Sequence, residues 1–404
     1  MSQATFKEIT GGVTAPLGFT ASGAVAGIKH ERKDVALIYS EREASAAGVF
    51  TANIVKAAPV LLTMQHIESG KARAVVANSG NANACVGPRG LEDARAMAAE
   101  AAGLLQIPEE QVLVASTGVI GQLMPMDRVL SGIRRAAAEL SRDGGVDAAA
   151  AVMTTDTVSK EAAVTVELGG VKATIGGMAK GSGMIHPNMA TMLCFITTDA
   201  AIEADWLHKA LTTAVERTFN MITVDGDTST NDMLVVLANG AAGNRVIDGA
   251  NSNYAAFVAA LEAVCRKLAV AVAADGEGAT RLLEVRVRGA SSERDARLVA
   301  RAVASSSLVK AAVFGKDANW GRIICAAGYS GAGFNPESVD IYVGDVQVAE
   351  NGGGLPFSEE RAAEVLGGDE VVFTIDLHNG DSCAAAWGCD LTYDYVRING
   401  SYRT

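Results

Sequence analysis

The chain has 404 residues, 49% of them hydrophobic and 20% charged, with a formal net charge of −12. That length and balance predict a globular protein of two domains rather than a disordered chain. The negative charge excludes nucleic acid and anionic membrane as main partners.

Residues 1–10 carry no signal-peptide pattern, and no run of about 20 uncharged apolar residues predicts a spanning helix. The six cysteines are scattered, without a C-x-x-C pair, so buried or free thiols in a reducing cytoplasm are expected. In chain order, residues 12–60 read as short strands, among them 35–39 and 46–50, broken by polar turns. Residues 72–77 form a further strand that ends at the Asn/Gly cluster 78–83, read first as a turn and second as a loop of amides lining a site. An alanine-rich helix follows over 91–105.

Residues 111–115 read as a strand, closed by Ser116-Thr117-Gly118. Such a turn is either a helix cap or a hydroxyl set beside a backbone N–H, a pair able to hold an oxyanion. Helical spacing covers 127–140, alternation marks a strand at 163–168, and another strand at 171–175 leads to Lys180. Helices are expected over 201–219 and from Asn251 or Ser252 to about 274, with a short strand at 221–224. Residues 225–232, DGDTSTND, start like a calcium loop but put Thr230 at the glycine position and Val236 at the glutamate position. They are read as a capped loop near the site. From Arg281 the texture changes to half-exposed strands, so domains are placed at 1–280 and 281–404.

The most informative stretch is 180–196, where a loop containing Gly181 and Gly183 runs into the apolar 192–196, a strand buried on both faces. Thr191 stands at the junction. Taken alone it is an ordinary β-branched residue opening a strand. Were the Ala190–Thr191 bond cut, however, Thr191 would gain an α-amine of pKa about 8, able to serve as base for its own hydroxyl.

Residues 180–193, KGSGMIHPNMATML, closely resemble the self-cleaving segment of the ornithine acetyltransferase (glutamate N-acetyltransferase) family of arginine biosynthesis. GVTAP at 12–16, NSGNANAC at 78–85, STGVIG at 116–121, MTTDT at 153–157, DGDTSTND at 225–232 and NWGR at 319–322 resemble the same family, in its order, over nearly the whole chain. Val86 and Ala318 depart from the family pattern beside these blocks, away from any residue given a role.

The resemblance implies an αββα-layered, N-terminal-nucleophile-like sandwich with a smaller C-terminal α/β domain. It implies cleavage between Ala190 and Thr191 into chains 1–190 and 191–404. Thr191 would be the nucleophile, Thr117 and Gly118 the oxyanion hole, and Thr154, Lys180, Thr191, Glu277, Asn399 and Thr404 the substrate contacts. By composition alone Glu277 is a loop carboxylate between two glycines, and 399–404 a frayed end.

The activity implied is acetyl transfer from N2-acetyl-L-ornithine to L-glutamate through an acetyl-threonine. Acetyl-CoA is left open as a second donor, with no bound cofactor and no metal expected. The partners implied are these small molecules and the chain's own two fragments, as a dimer of cleaved pairs. An N-terminal-nucleophile aminopeptidase or amidase is the alternative, because fold and nucleophile alone do not separate the two.

Overall fold

The computed structural model describes residues 6–186 and 192–401. Ala190, Thr191 and Thr404, all given roles above, lie outside the described residues. The first sheet contains β1 (Phe6–Ile9), β2 (Phe19–Ala24), β3 (Val35–Phe50), β4 (Lys71–Asn81), β5 (Val112–Val119), β6 (Lys160–Leu168), β7 (Val171–Lys180), β8 (Leu193–Thr198) and β9 (Met233–Ala238). Its order is β1-β6-β7-β8-β9-β3-β4-β5, with β2 also paired to β3. The helices over the same part of the chain are α1 (Ala58–His66), α2 (Pro88–Leu105), α3 (Met126–Ala138), α4 (Gly145–Val152), α5 (Ala204–Arg217) and α6 (Ser252–Ala274).

β3 decides the architecture. Its first half pairs with β2 and β4, and its last residues, from Ser45 to Phe50, pair with β9. The ladder to β4 shifts register between Tyr39 and Ala44, where Glu41, Arg42 and Glu43 are exposed. Such an irregularity bends a strand, so one sheet folds over into two layers. The sequence reading took the polar residues as a turn between two strands; they are a bend within one.

Alternation along each strand then feeds separate cores. Ala36, Ile38, Val75, Leu113, Leu193, Phe195, Met233 and Val235 meet between the layers. Leu37, Val76 and Val114 point outward beneath α2 and α3. Cys194, Ile196, Leu234 and Val236 point the other way, beneath α5 and α6. The layer order is therefore helix, sheet, sheet, helix. α4 is the exception, since Ala148, Ala149, Ala151 and Val152 lie in the middle core. It fits there because Gly23 and Gly144 lack side chains: a Cβ on either would fall about 2 Å from a carbonyl oxygen of the other segment, Asp147 O or Ala21 O.

The second sheet starts at Leu282. It comprises β10 (Leu282–Ala290), β11 (Asp340–Val343), β12 (Val346–Glu350), β13 (Gly353–Gly354), β14 (Glu370–Asp376) and β15 (Ser382–Cys389), in the order β13-β12-β11-β14-β10-β15. With it come α7 (Glu293–Ser305), α8 (Ser307–Gly315), α9 (Trp320–Gly328), α10 (Glu359–Leu366) and α11 (Tyr393–Ser401). Apolar residues of this sheet join those of α5 and α6 in one continuous cluster.

Several local expectations are corrected. Residues 78–81 and 116–119 are not turns but the ends of β4 and β5, paired in parallel from Asn78↔Ser116 to Gly80↔Gly118. Residues 221–224 do not form a strand; a 3-10 turn, Phe219–Met221, is followed by a single bridge from Ile222 to Trp387. α1, α4, α8 and α9 were not anticipated. They are only eight or nine residues long, and such short pieces depend on tertiary packing for stability. Among the described residues, no single helix is long and apolar enough to cross a membrane.

Candidate active site

A cavity opens where β5, β7 and the segments just before β8 and β9 come together, and residues from six separate stretches of the chain line it. Thr117 and Gly118 come from β5, Thr154 from the loop after α4, and Lys180 from the end of β7. Glu277 arrives from the loop after α6, and Asn399 from α11. Every expected site residue that is described therefore reaches one cavity. Met192, next in the chain to Thr191, lines it as well.

Backbone conformation and close packing require glycine at position 118. Gly118 has φ of +134°, and a Cβ there would fall 2.3 Å from the carbonyl carbon of Gly80 on β4. Gly183 faces the Glu277 carboxyl, which any Cβ would meet at 2.5 Å. The carboxylate thus occupies the space a side chain at 183 would fill. Asn399 Nδ2 donates to Glu277 Oε2 at 2.7 Å, and the Glu277 backbone N–H donates to Ser182 O at 3.0 Å. The C-terminal helix is thereby tied to the cavity wall.

Asn231 braces the opposite wall. Its Nδ2 donates to Ala82 O at 2.6 Å and to Ser116 O at 2.8 Å, which fixes the parallel ends of β4 and β5 and hence Thr117. Ser116 Oγ donates to Asn78 Oδ1 at 2.6 Å, and Asn78 Nδ2 to Asn81 O at 2.9 Å. The amides of the 78–83 cluster thus hold strand ends together, and Asn78 and Asn83 are fully buried.

The charges are arranged unevenly. Lys180 Nζ donates to Thr117 Oγ1 at 3.3 Å. Burial pushes its ammonium pKa down, opposed by the carboxylates of Asp156 and Asp232. Asp156 accepts from Lys160 Nζ at 2.8 Å, from the Gly181 N–H at 2.7 Å and from the Thr154 N–H at 3.0 Å. Burial works against its charge, but Lys180 and Lys160 outweigh it and hold the carboxyl down to about 2. Lys160 in turn donates to Asp275 Oδ2 at 2.6 Å. Burial pushes Asp232 well above the usual carboxylate range despite Lys180 nearby.

The 225–232 loop, read as packing near the site, lines the cavity with Asp225, Asp227, Ser229, Asn231 and Asp232. Asp225 accepts from the Met184 N–H at 2.6 Å and the Ile185 N–H at 2.9 Å, which pins the loop leading toward residue 191. Sequence reasoning gave no individual role to Asp156, Lys160, Asn231, Asp232 or Tyr395. For the first four the only signal was their crowding into polar blocks.

A family model described as the ArgJ family matches residues 20–404. The arginine biosynthesis bifunctional protein ArgJ of Symbiobacterium thermophilum is 61% identical over 399 residues, covering 98% of this chain and 99% of that protein. Its counterpart in Caldanaerobacter subterraneus subsp. tengcongensis is 55% identical over 400 residues, with 98% and 99% covered. The crystal structure of arginine biosynthesis bifunctional protein ArgJ from Bacillus halodurans is 50% identical with a TM-score of 0.50, and 98% of that crystal chain matches 52% of this one. A model spanning nearly the entire sequence, and full-length relatives above half identity, make this chain a member of the ArgJ family.

Proposed function

We propose that the chain transfers the acetyl group of N2-acetyl-L-ornithine to L-glutamate in arginine biosynthesis, after cutting itself between Ala190 and Thr191. The observation that carries this reading is the convergence of Thr117, Gly118, Thr154, Lys180, Glu277 and Asn399 on one cavity whose wall includes Met192. In the proposed reaction Thr191 Oγ attacks the acetyl carbonyl, and the freed α-amine of Thr191 takes the hydroxyl proton. Thr117 and the Gly118 N–H hold the oxyanion. The C–N bond breaks, the amine returns its proton to the departing nitrogen, and ornithine leaves an acetyl ester behind. Glutamate then attacks that ester and leaves as N-acetylglutamate.

Lys180 supplies the cation for a substrate carboxylate and Glu277 the anion for an ammonium group. Thr404 is assigned a substrate contact in the same proposal. The half-length crystal chain among relatives that otherwise match end to end fits a protein divided near its middle. The relatives are named bifunctional, so acetyl-CoA as a second acetyl donor to glutamate belongs to this proposal. No bound cofactor or metal enters it. A cytoplasmic location and a dimer of cleaved pairs belong to it as well.

A denaturing gel and a transfer assay test the reading together. Wild type is expected to give fragments of 190 and 214 residues, Thr191→Ser to give the same two, and Thr191→Ala to remain one band without activity. Ornithine release from N-acetylornithine should depend on glutamate. Release at one rate with or without glutamate would instead identify an aminopeptidase or amidase.

A further inference from the structure

Lys160 opens β6 outside the cavity lining, and the proposed chemistry gives it no part. It is 2% exposed. An ammonium carries three N–H donors, and here each finds an acceptor: Asp156 Oδ1 at 2.8 Å, Asp275 Oδ2 at 2.6 Å and Val158 O at 3.3 Å. Both carboxylates are buried too, their side chains 0% and 8% exposed. A lysine so enclosed does not reach a substrate. Its influence on the site passes through its partners.

Those partners tie together three stretches of the chain. Asp156 accepts from the N–H groups of Thr154 at 3.0 Å and Gly181 at 2.7 Å. Asp275 caps the C-terminal end of α6, two residues before Glu277. Its carboxylate accepts from the Thr157 N–H at 3.0 Å and from the Thr157 hydroxyl, and its carbonyl accepts from Ser182 Oγ at 2.7 Å. Each stretch carries a residue of the cavity wall: Thr154, Lys180 and Glu277. The buried ammonium is the charged link among them.

We propose that Lys160 is a positioning residue of the acetyl-transfer site, its ion pair with Asp275 holding Glu277 where that carboxylate meets the side-chain ammonium of the substrate. This rests on the proposed function, in which Glu277 faces an ammonium group. Without the cation, Asp156 and Asp275 are like charges flanking one vacated point, and buried like charges repel strongly. Asp156 keeps two backbone N–H donors and the charge of Lys180 nearby. Asp275 keeps less, because it stands at a helix C-terminus, the negative end of the helix dipole. The 275–277 turn is therefore the part that moves, and Glu277 moves with it.

The test uses N-acetyl-L-ornithine as substrate and N-acetyl-L-norvaline, the same skeleton without the side-chain amine, as competitive inhibitor. Wild type is compared with Lys160→Met, Asp275→Asn, Glu277→Gln and the Lys160→Met/Glu277→Gln double variant. In Lys160→Met the KM for N-acetylornithine is expected to rise about 10- to 100-fold, the range for a lost hydrogen bond to a charged group, while the Ki of N-acetylnorvaline stays within about twofold. Asp275→Asn and Glu277→Gln should show the same split, because norvaline offers Glu277 no charge. In the Glu277→Gln background Lys160→Met should add nothing to KM, the non-additivity of groups that act together. A lysine with a structural role alone would weaken both ligands alike. An unchanged KM in Lys160→Met, an equal rise in Ki, or a full further loss in the Glu277→Gln background overturns the proposal. Should Lys160→Met not fold, Asp275→Asn decides: it keeps an acceptor for Thr157 and removes the charge, and an unmoved KM overturns the proposal. A wild type that transfers no acetyl group to glutamate sinks the functional reading instead.

Discussion

At the scale of single residues, the site combines committed and uncommitted charges. Asp156 accepts hydrogen bonds from a lysine and two backbone N–H groups, which fixes the start of the loop at Gly181 and the position of Thr154. Truncating one member of a buried ion pair leaves the other uncompensated, so Asp156→Asn is expected to cost about 3–5 kcal/mol at neutral pH. Urea unfolding measures it. The folded carboxyl titrates near 2, below its ordinary value of 3.8. Its contribution is therefore fully present above about pH 4 and is lost as pH falls through 2. Wild-type melting temperature should fall over that window, and the Asn variant should show a shallower fall.

At the scale of elements, α11 differs from the other helices near the site. It has no buried residue, yet Tyr395 and Asn399 reach the cavity. Thr392 Oγ1, at its entrance, donates to Gly278 O at 2.7 Å. Gly278 has φ of +69°, and a Cβ there would come within 2.6 Å of the Tyr395 nitrogen. The helix is held by polar contacts at the cavity rim, not by a core of its own. A chain ending at Thr392 should melt within a few degrees of wild type, since little apolar surface is lost. Its KM for N-acetylornithine should rise about 10- to 100-fold, the worth of a lost hydrogen bond to a charged group. Steady-state kinetics beside a thermal melt separates these effects, and a collapse of stability would show α11 to be structural.

At the scale of the whole molecule, the site exists because one sheet folds into two layers. β8 and β9 are buried at every position, with one face toward the middle core and the other toward α5 and α6. Phe195, 1% exposed, fills the middle core two residues after Leu193 of the cavity wall. Phe195→Ala is expected to cost about 3–5 kcal/mol. Its denaturation midpoint should fall with an unchanged urea slope if the layers stay together.

The sequence by itself determined the mixed α/β class, the long helices and the blocks that converge on the cavity. Periodicity is written locally: α6 was legible from Tyr254, Phe257, Leu261, Val264 and Leu268, and its cap from Asn251, which accepts from the Tyr254 N–H. The blocks at 116–121, 180–193 and 225–232 could be read as motifs because their residue order resembles a known family. Tertiary structure alone decided that 35–50 is one bent strand, since Glu41, Arg42 and Glu43 look the same in a turn as on an exposed bend. It also decided that 78–81 and 116–119 are paired strand ends, because each supplies the other's partner and neither carries that information alone. The charges of Lys180, Asp156 and Asp232 were likewise undetermined until burial and neighbours from separate strands were set. Electrostatic energy depends on distance and dielectric, and neither is a property of linear order.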